Sequence, residues 1–296
     1  MAELTEKIVV SVAPAARHKA EEVRTGSASD ISVMTPEEIA ADVINCAKEG
    51  AAIVHMHVRD KDGKISSDIT EFKKTIKMIR DETDIIIEGS TGGVSDLTAS
   101  ERGAVLSLPE VELANLNMGS VNMSGLPFIN APSEIKILCN EIIERNVIPV
   151  LELFEPGMIE SVNTLIKENI LKPPYLYAVS LGFEGSQPAR TVNLQHMVNL
   201  LPQGVPWYYQ EHGIRDLAMC AAAIAAGARI VRVGFEDSVY YRPGKTGKTN
   251  AELVARLVEM IGSIGFDIAS TEEARKITGI REKYYGKKTG VSFSRA

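Results

Sequence analysis

Two rhythms of apolar and polar positions take turns along this 296-residue chain. Short runs rich in β-branched residues, such as Ile8-Val9-Val10-Ser11-Val12-Ala13 and Asp84-Ile85-Ile86-Ile87-Glu88, read as buried strands. Between them apolar residues recur at helical spacing, as in Ile39, Val43, Ile44 and Ala47, then Phe72, Ile76 and Ile79. The first helix has its own boundary signals: Thr35 at the N-cap, Pro36 at the first helical position, Glu38 to complete a capping box, and Gly50 to close it. Further strands are expected at 52–58, 112–117, 147–153, 175–180, 205–209 and 229–234, each followed by a helical segment. Eight such units in one chain of this length predict an α/β fold, a closed (β/α)8 TIM barrel, because parallel strands need helical crossovers and eight of them close around a filled interior. The competing architecture is an open doubly wound sheet. That fold carries an early G-x-G-x-x-G turn, and here the first strand runs into Pro14-Ala15-Ala16. The whole of 1–296 is expected to form one domain, in which 270–296 supplies an extra helix, begun by the cap-like Ser270-Thr271-Glu272-Glu273, and then a polar arm from Lys283.

Polar residues inside this pattern are the first candidates for chemistry. The run Ala52-Ile53-Val54-His55-Met56-His57-Val58 holds two of the five histidines, and alternation places Ile53, His55 and His57 on one face. Two imidazoles side by side at a strand end suit a divalent metal such as zinc; the alternative is a pair of hydrogen-bonded core histidines. In a barrel the site lies at the carboxyl ends of the strands, so strand-end residues form one constellation. Ser90 and Thr91 follow the third strand, Asn117 and Ser120 the fourth, and Glu152 ends the fifth. The eighth reads Ile230-Val231-Arg232-Val233-Gly234-Phe235-Glu236-Asp237, with Arg232, Gly234 and Glu236 expected on one face and Gly234 leaving room for a ligand. Glu236 is the candidate third metal ligand, since only the first strand separates the eighth from the second, about 10 Å at backbone level. Two imidazoles and one carboxylate leave an open coordination position, the pattern of a catalytic site. A solvated acidic turn is the alternative for Glu236-Asp237.

Composition narrows the classes of function. A formal charge of -7 without a basic block argues against nucleic-acid binding. Three dispersed cysteines, Cys46, Cys139 and Cys220, fall inside predicted helices and suggest a reducing, cytoplasmic setting. No apolar run reaches membrane-spanning length, and the N-terminus lacks an export pattern, so no membrane association is expected. Three motif-like stretches fail on spacing. Gly244-Lys245-Thr246-Gly247-Lys248-Thr249 has Arg242 where a P-loop needs its leading glycine, which leaves phosphate binding through lysines alone. Asp60-Lys61-Asp62-Gly63 has its glycine too early for a calcium loop and reads as a turn. Gly89-Ser90-Thr91-Gly92-Gly93 lacks a dinucleotide pattern, although its amides could cradle a carboxylate or phosphate. Of the remaining histidines, His196 sits in a predicted helix as a structural residue, His212 could face the site, and His18 has no assigned role.

His55-Met56-His57-Val58-Arg59-Asp60, Gly89-Ser90-Thr91-Gly92-Gly93, Glu152-Leu153-Phe154-Glu155-Pro156-Gly157-Met158-Ile159, Arg232-Val233-Gly234-Phe235-Glu236-Asp237 and Ile268-Ala269-Ser270-Thr271-Glu272-Glu273-Ala274-Arg275 together resemble the β-keto acid cleavage enzymes, from Lys7 to about Gly279. The resemblance implies a zinc-dependent barrel, acting as a homo-oligomer, that converts a β-keto acid and acetyl-CoA into acetoacetate and a shorter CoA ester. It implies that His55, His57 and Glu236 hold zinc, that Asp237 with Arg232 activates acetyl-CoA by taking a proton from its methyl group, and that Ser90, Thr91, Gly92, Asn115 and Glu152 meet the keto acid. Asp237 is expected to be ionised but weakly basic beside Arg232. Two departures bear on substrate. Members that act on 3-keto-5-aminohexanoate carry an acid after the first strand, whereas this chain has Pro14-Ala15-Ala16-Arg17-His18, which implies a keto acid without a cationic amine there. Trp207-Tyr208-Tyr209-Gln210-Glu211-His212-Gly213-Ile214-Arg215 also replaces the smaller residues usual around the seventh strand. A hydrolase of the amidohydrolase type, which expects histidines on strands five and six, and a barrel that binds metabolites without converting them are the alternative functions.

Overall fold

The computed structural model describes residues 7–14, 35–93, 95–123 and 126–280, and the 15–34 loop with Arg17 and His18, as well as the arm from Lys283, lie outside the described residues. In chain order the elements are β1 (Val9–Val12), α1 (Pro36–Lys48), β2 (Ile53–Met56), α2 (Thr70–Glu82), β3 (Ile86–Gly89), α3 (Ala99–Arg102) with a following 3-10 turn, β4 (Val111–Asn117), β5 (Val121–Met123), β6 (Leu126–Phe128), α4 (Pro132–Glu144), β7 (Ile148–Leu153), α5 (Met158–Lys167), β8 (Leu176–Leu181), α6 (Thr191–Leu200), β9 (Trp207–Glu211), α7 (Ala218–Ala225), β10 (Ile230–Val233), β11 (Tyr240–Arg242), β12 (Lys245–Thr246), α8 (Asn250–Ser263) and α9 (Thr271–Thr278). Eight parallel strands close a barrel in the order β1-β10-β9-β8-β7-β4-β3-β2. This is the predicted (β/α)8 barrel. Each barrel strand therefore ends on the same rim.

The helices begin where local chemistry says they should. Thr35 accepts a hydrogen bond from the Glu38 N–H while Glu38 accepts from the Thr35 N–H, which satisfies two donors left over at the helix start. Cys46, Cys139 and Cys220 are free and buried in α1, α4 and α7. Burial raises the Cys139 thiol to about 11, which suits a packing role. The units after β3, β4 and β10 depart from plain strand-helix alternation. The helix after β3 is a four-residue piece, and the antiparallel hairpins β5-β6 and β11-β12 stand on the rim before α4 and α8.

Two apolar layers hold the barrel. Val10, Val12, Val54, Met56 and Ile87 pack outward against the helices, while Val9, Ile53, Ile86, Leu113, Tyr208 and Ile230 fill the interior. The interior layer continues into Ala269, Ala274 and Ile280, so α9 plugs the amino-terminal end of the barrel. Ser270 and Glu273 form its capping box, and Arg275 anchors it by donating to the Asp84 carbonyl at 2.7 Å and to Glu112 at 3.0 Å. With that end sealed by apolar side chains, the opposite rim is the open one.

Candidate active site and metal centre

Moving toward the open rim, the interior changes from apolar to polar in one step. Two residues beyond each inward apolar position, the strands present Ser11, His55, Glu88, Asn115, Glu152, Ser180, Gln210 and Arg232, each 5% exposed or less. Every strand of the barrel contributes one. Polar groups are buried only at a cost unless they are paired, and this layer pairs largely within itself. Gln210 donates to Glu152 at 2.8 Å and to Ser180 at 2.7 Å, and the Tyr208 hydroxyl donates to Ser11.

His55 and Glu88 are neighbours across β2 and β3, and His55 Nδ1 lies 2.9 Å from Glu88 Oε1. A carboxylate accepts only, so Nδ1 carries the proton and Nε2 is the free ligand atom. That nitrogen lies 3.5 Å from Glu236 Oε1, and His57 Nε2 lies 3.3 Å from the same oxygen. The two rings meet edge-on at 77°, with centroids 5.2 Å apart. His55, His57 and Glu236 each offer one ligand atom, all within 4.8 Å of one another. Two imidazole nitrogens and one carboxylate, with a carboxylate behind one imidazole, are the donor set and outer support of a zinc-type site, so the residues fit the metal.

Charge is concentrated beside this triad. Arg232 grips Asp237 through two parallel bonds, Nε to Oδ2 at 2.8 Å and an Nη2 bond to Oδ1 at 2.6 Å. Burial pushes the Asp237 carboxyl upward, against the pull of Arg232, so Asp237 is a stronger base than its ion pair alone suggests. Burial acts the same way on Glu236, but there His57 and His55 outweigh it and hold the carboxyl well below its usual range. For His57 burial wins and lowers the imidazole; for His55 burial is overcome by Glu236 and Glu88, which raise it. Glu152 is raised by burial. Among the described residues, Arg232 Nη1, Glu88 Oε2, Asn117 Oδ1 and Gln210 Oε1 are buried without a hydrogen-bond partner. Unpaired polar atoms in one chamber are what a ligand's polar groups would complete.

The structure brings His57 and Glu236 together by routes other than those the sequence suggested, and it alters two further expectations, at Gly234 and in the Gly89–Gly93 loop. His57 lies just past β2, whose ladder ends at Met56, yet its ring still reaches Glu236. Strand alternation does not deliver Glu236, because β10 stops at Val233 and Gly234 turns the chain at φ 146°. A tight turn places it: the Glu236 N–H donates to Ala13 O at 3.2 Å and the Asp237 N–H to Gly234 O at 3.0 Å. Gly234 makes room for backbone instead of ligand, since a Cβ there would lie 2.2 Å from Ala13 O. The Gly89–Gly93 loop is less available than expected. The Thr91 N–H donates to Asn115 Oδ1 at 2.6 Å, its hydroxyl donates to Asn115 O at 2.6 Å, and the Gly92 N–H donates to Ser90 Oγ at 3.2 Å. Asn115 and Thr91 thus fasten the loop to β4 and hold Ser90 at the rim. A Cβ on Gly92 would press on Asn117 and Asn115 at 2.9 and 3.1 Å.

The other sequence candidates fall away from the centre. Asp60 accepts from the N–H groups of Asp62 and Lys64, both at 2.9 Å, as an ordinary turn. His212 follows β9 and stacks on Phe183 with ring centroids 5.0 Å apart, and His196 is exposed on α6. Sequence reasoning assigned no role to Glu88, Ser11, Ser180 and Gln210. Their shared signal is a polar residue two positions after an inward apolar one, as in Ile86 and Glu88; Gln210 escaped because β9 runs two residues past the expected end of its strand. None of the helices among the described residues is long and apolar enough to cross a membrane.

Comparison with known proteins gives a consistent result. A family model described as "BKACE: beta-keto acid cleavage enzyme" matches residues 24–280. The 3-keto-5-aminohexanoate cleavage enzyme of Fusobacterium nucleatum is 38% identical over 250 residues, which cover 84% of this chain and 90% of that one. The 3-dehydrocarnitine:acetyl-CoA trimethylamine transferase of Rhizobium meliloti is 30% identical over 277 residues, covering 85% and 91%. Among solved structures, apo ObcA superposes with a TM-score of 0.71 at 18% identity, a likeness of fold that covers 83% of this chain and 65% of the ObcA chain.

Proposed function

The chain belongs to the beta-keto acid cleavage enzyme family, and from that premise we propose that it is a zinc-dependent enzyme that exchanges acyl groups between a β-keto acid and acetyl-CoA, releasing acetoacetate and a new CoA ester. The observation that carries the reading is the convergence of His55, His57 and Glu236 within 4.8 Å beside the buried Arg232-Asp237 pair. Zinc held by these three residues would polarise the keto carbonyl and favour the negative charge that develops on its oxygen.

Atom balance assigns the remaining roles and corrects one expectation. Acetoacetate must contain the acetyl group of the thioester joined to the CH2-carboxylate fragment of the keto acid. The proton removed is therefore the one on C2 of the keto acid, between two carbonyl carbons, and not the far less acidic methyl proton of acetyl-CoA. Asp237, made more basic by burial, accepts that proton. The C2 carbanion then forms a bond to the thioester carbonyl carbon as the CoA thiolate leaves. Thiolate attack on the original keto carbon breaks the C2–C3 bond, and C2 recovers the proton from Asp237. Arg232 keeps Asp237 in place through two hydrogen bonds, and its buried Nη1 is left to donate to substrate. Ser90, held at the rim by the Thr91-Asn115 clasp, and Glu152, held by Gln210, would complete the keto-acid pocket.

On the substrate side, Pro14-Ala15-Ala16-Arg17-His18 offers no carboxylate for a cationic amine, which favours a neutral or anionic β-keto acid. The test is CoA-dependent acetoacetate formation across amino-substituted, neutral and dicarboxylic β-keto acids, with metal content measured on the same preparations. His55→Ala and His57→Ala should lose zinc and turnover together. Full turnover by a metal-free variant would refute the site, and fastest turnover of 3-keto-5-aminohexanoate would refute the substrate preference.

A further inference from the structure

The stretch Gly244-Lys245-Thr246-Gly247-Lys248-Thr249 has no part in the chemistry just described, yet the fold sets it on the rim of the same chamber. The β11-β12 hairpin begins at Tyr240, three residues after Asp237, and returns the chain to α8. Between 242 and 256 the sequence carries four cations, Arg242, Lys245, Lys248 and Arg256, against one carboxylate, Glu252, in a chain whose formal charge is -7. So local a reversal of sign is not a by-product of composition.

Two of the four cations rest on one aromatic ring. Lys245 Nζ lies 4.5 Å from the centroid of the Tyr241 ring, and Arg256 Cζ lies 5.0 Å from the same centroid. The Gly247 N–H donates to Val239 O at 2.8 Å, and the Lys248 N–H donates to Glu252 Oε2 at 2.7 Å. The hairpin is thereby tied both to the strand end that bears Asp237 and to the first turn of α8. Glu252 compensates Lys245 only loosely, at 3.9 Å, while Arg242 and Lys248 are exposed and form no ion pair among the described residues. Arg242 and Lys248 are therefore open to an anion, and the exposed Lys245 is only loosely held by Glu252.

We propose that the β11-β12 hairpin binds the phosphate groups of the CoA thioester, with Arg242, Lys245 and Lys248 as the contacting residues and Tyr241 and Arg256 as their support. The inference rests on the reading of this protein as an acetyl-CoA-dependent enzyme. CoA carries its diphosphate and 3′-phosphate at the end remote from the reacting thioester. A site with its base on the rim therefore needs a cationic surface beside that base, and the loop after the eighth strand is one from which (β/α)8 barrels recruit phosphate ligands. Several exposed cations in place of a single buried one also suit a ligand whose charge is spread over separate groups.

The experiment compares acetyl-CoA with acetyl-pantetheine, which keeps the thioester and lacks the phosphates, using the zinc-loaded enzyme and the Lys245→Ala/Lys248→Ala and Arg242→Ala variants. The KM for acetyl-CoA should rise roughly tenfold at low ionic strength in the double variant, with kcat preserved and acetyl-pantetheine kinetics unmoved. In parallel, adenosine 3′,5′-bisphosphate is titrated by calorimetry in the absence of any keto acid; the unsubstituted protein should bind it and the double variant should bind it at least tenfold more weakly. An unchanged KM, or an equal loss for both thioesters, overturns the inference while leaving the enzymatic reading intact. Absence of CoA-dependent turnover refutes the enzymatic reading, and the calorimetric arm then decides the hairpin alone: equal binding of the bisphosphate by both proteins, or by neither, overturns it.

Discussion

Glu88 offers the sharpest test of the proposed metal centre. Its side chain is 0% exposed and its Oε1 sits 2.9 Å from His55 Nδ1, so its one visible task is to hold that imidazole with Nε2 toward Glu236. Glu88→Gln keeps the volume and an acceptor oxygen but removes the negative charge. A hydrogen bond to a charged partner contributes about 1.5–3 kcal/mol and a neutral one about 0.5–1.5, so the substitution should cost roughly 1–1.5 kcal/mol at His55. That corresponds to about a tenfold loss of zinc affinity, within the ~10–100-fold range for carboxylates behind metal-bound histidines. Glu88→Ala should lose more, because it leaves the Nδ1 proton buried without an acceptor and frees the ring to rotate. The assay is zinc affinity by chelator competition, together with the ligand-field spectrum of the cobalt-substituted protein. A carboxylate that served only packing would lower thermal stability and leave both readouts alone. Zinc affinity within about twofold of the unsubstituted protein, with an unshifted cobalt spectrum, would refute the reasoning.

Other perturbations probe separate links of the argument. Asp237→Asn should keep zinc bound but lower kcat by about 10²–10⁴, measured as acetoacetate release, because the amide cannot take the C2 proton; retained turnover would place the base elsewhere. Gly234→Ala forces a Cβ to within 2.2 Å of Ala13 O at a φ of 146°, and should destabilise by about 2 kcal/mol or more, read as a lower urea midpoint. Glu211 is raised to about 7 by burial, with Asp216 and Asp237 adding to the rise and a hydrogen bond from Tyr209 opposing it. Its folded value thus exceeds the unfolded one, so its contribution is most favourable below about pH 4.5 and is lost as pH climbs through 7, at up to about 1.4 kcal/mol per pH unit. Glu211→Gln should flatten that downward slope in urea unfolding curves taken between pH 5 and 7.5, and an unchanged slope would show that Glu211 is already ionised in the folded protein.

Much of this molecule can be read from the chain alone, because the relevant physics is local. Caps act over three residues, strand alternation over two and helical periodicity over four, so Thr35, Pro36 and Glu38 announce α1, and Ser270 with Glu273 announces α9, before any tertiary contact exists. The regular alternation of strand and helix was enough to predict a closed barrel, and the pair His55 and His57 was enough to point to two members of the His55-His57-Glu236 cluster that could hold a metal ion. What only the tertiary structure decided are the contacts that close across the barrel. Glu88 meets His55 because β2 and β3 pair in one particular register, a fact with no local signature. Glu236 and Asp237 reach the site through a turn at Gly234 that exists because β1 passes against it, not through the alternation that first pointed to them. Likewise, the Arg232-Asp237 pair can raise or lower a proton affinity only once burial is known, and burial belongs to the closed barrel as a whole. Short-range pattern chose the elements; closure, by bringing eight strand ends to one rim, chose which of their side chains could act together.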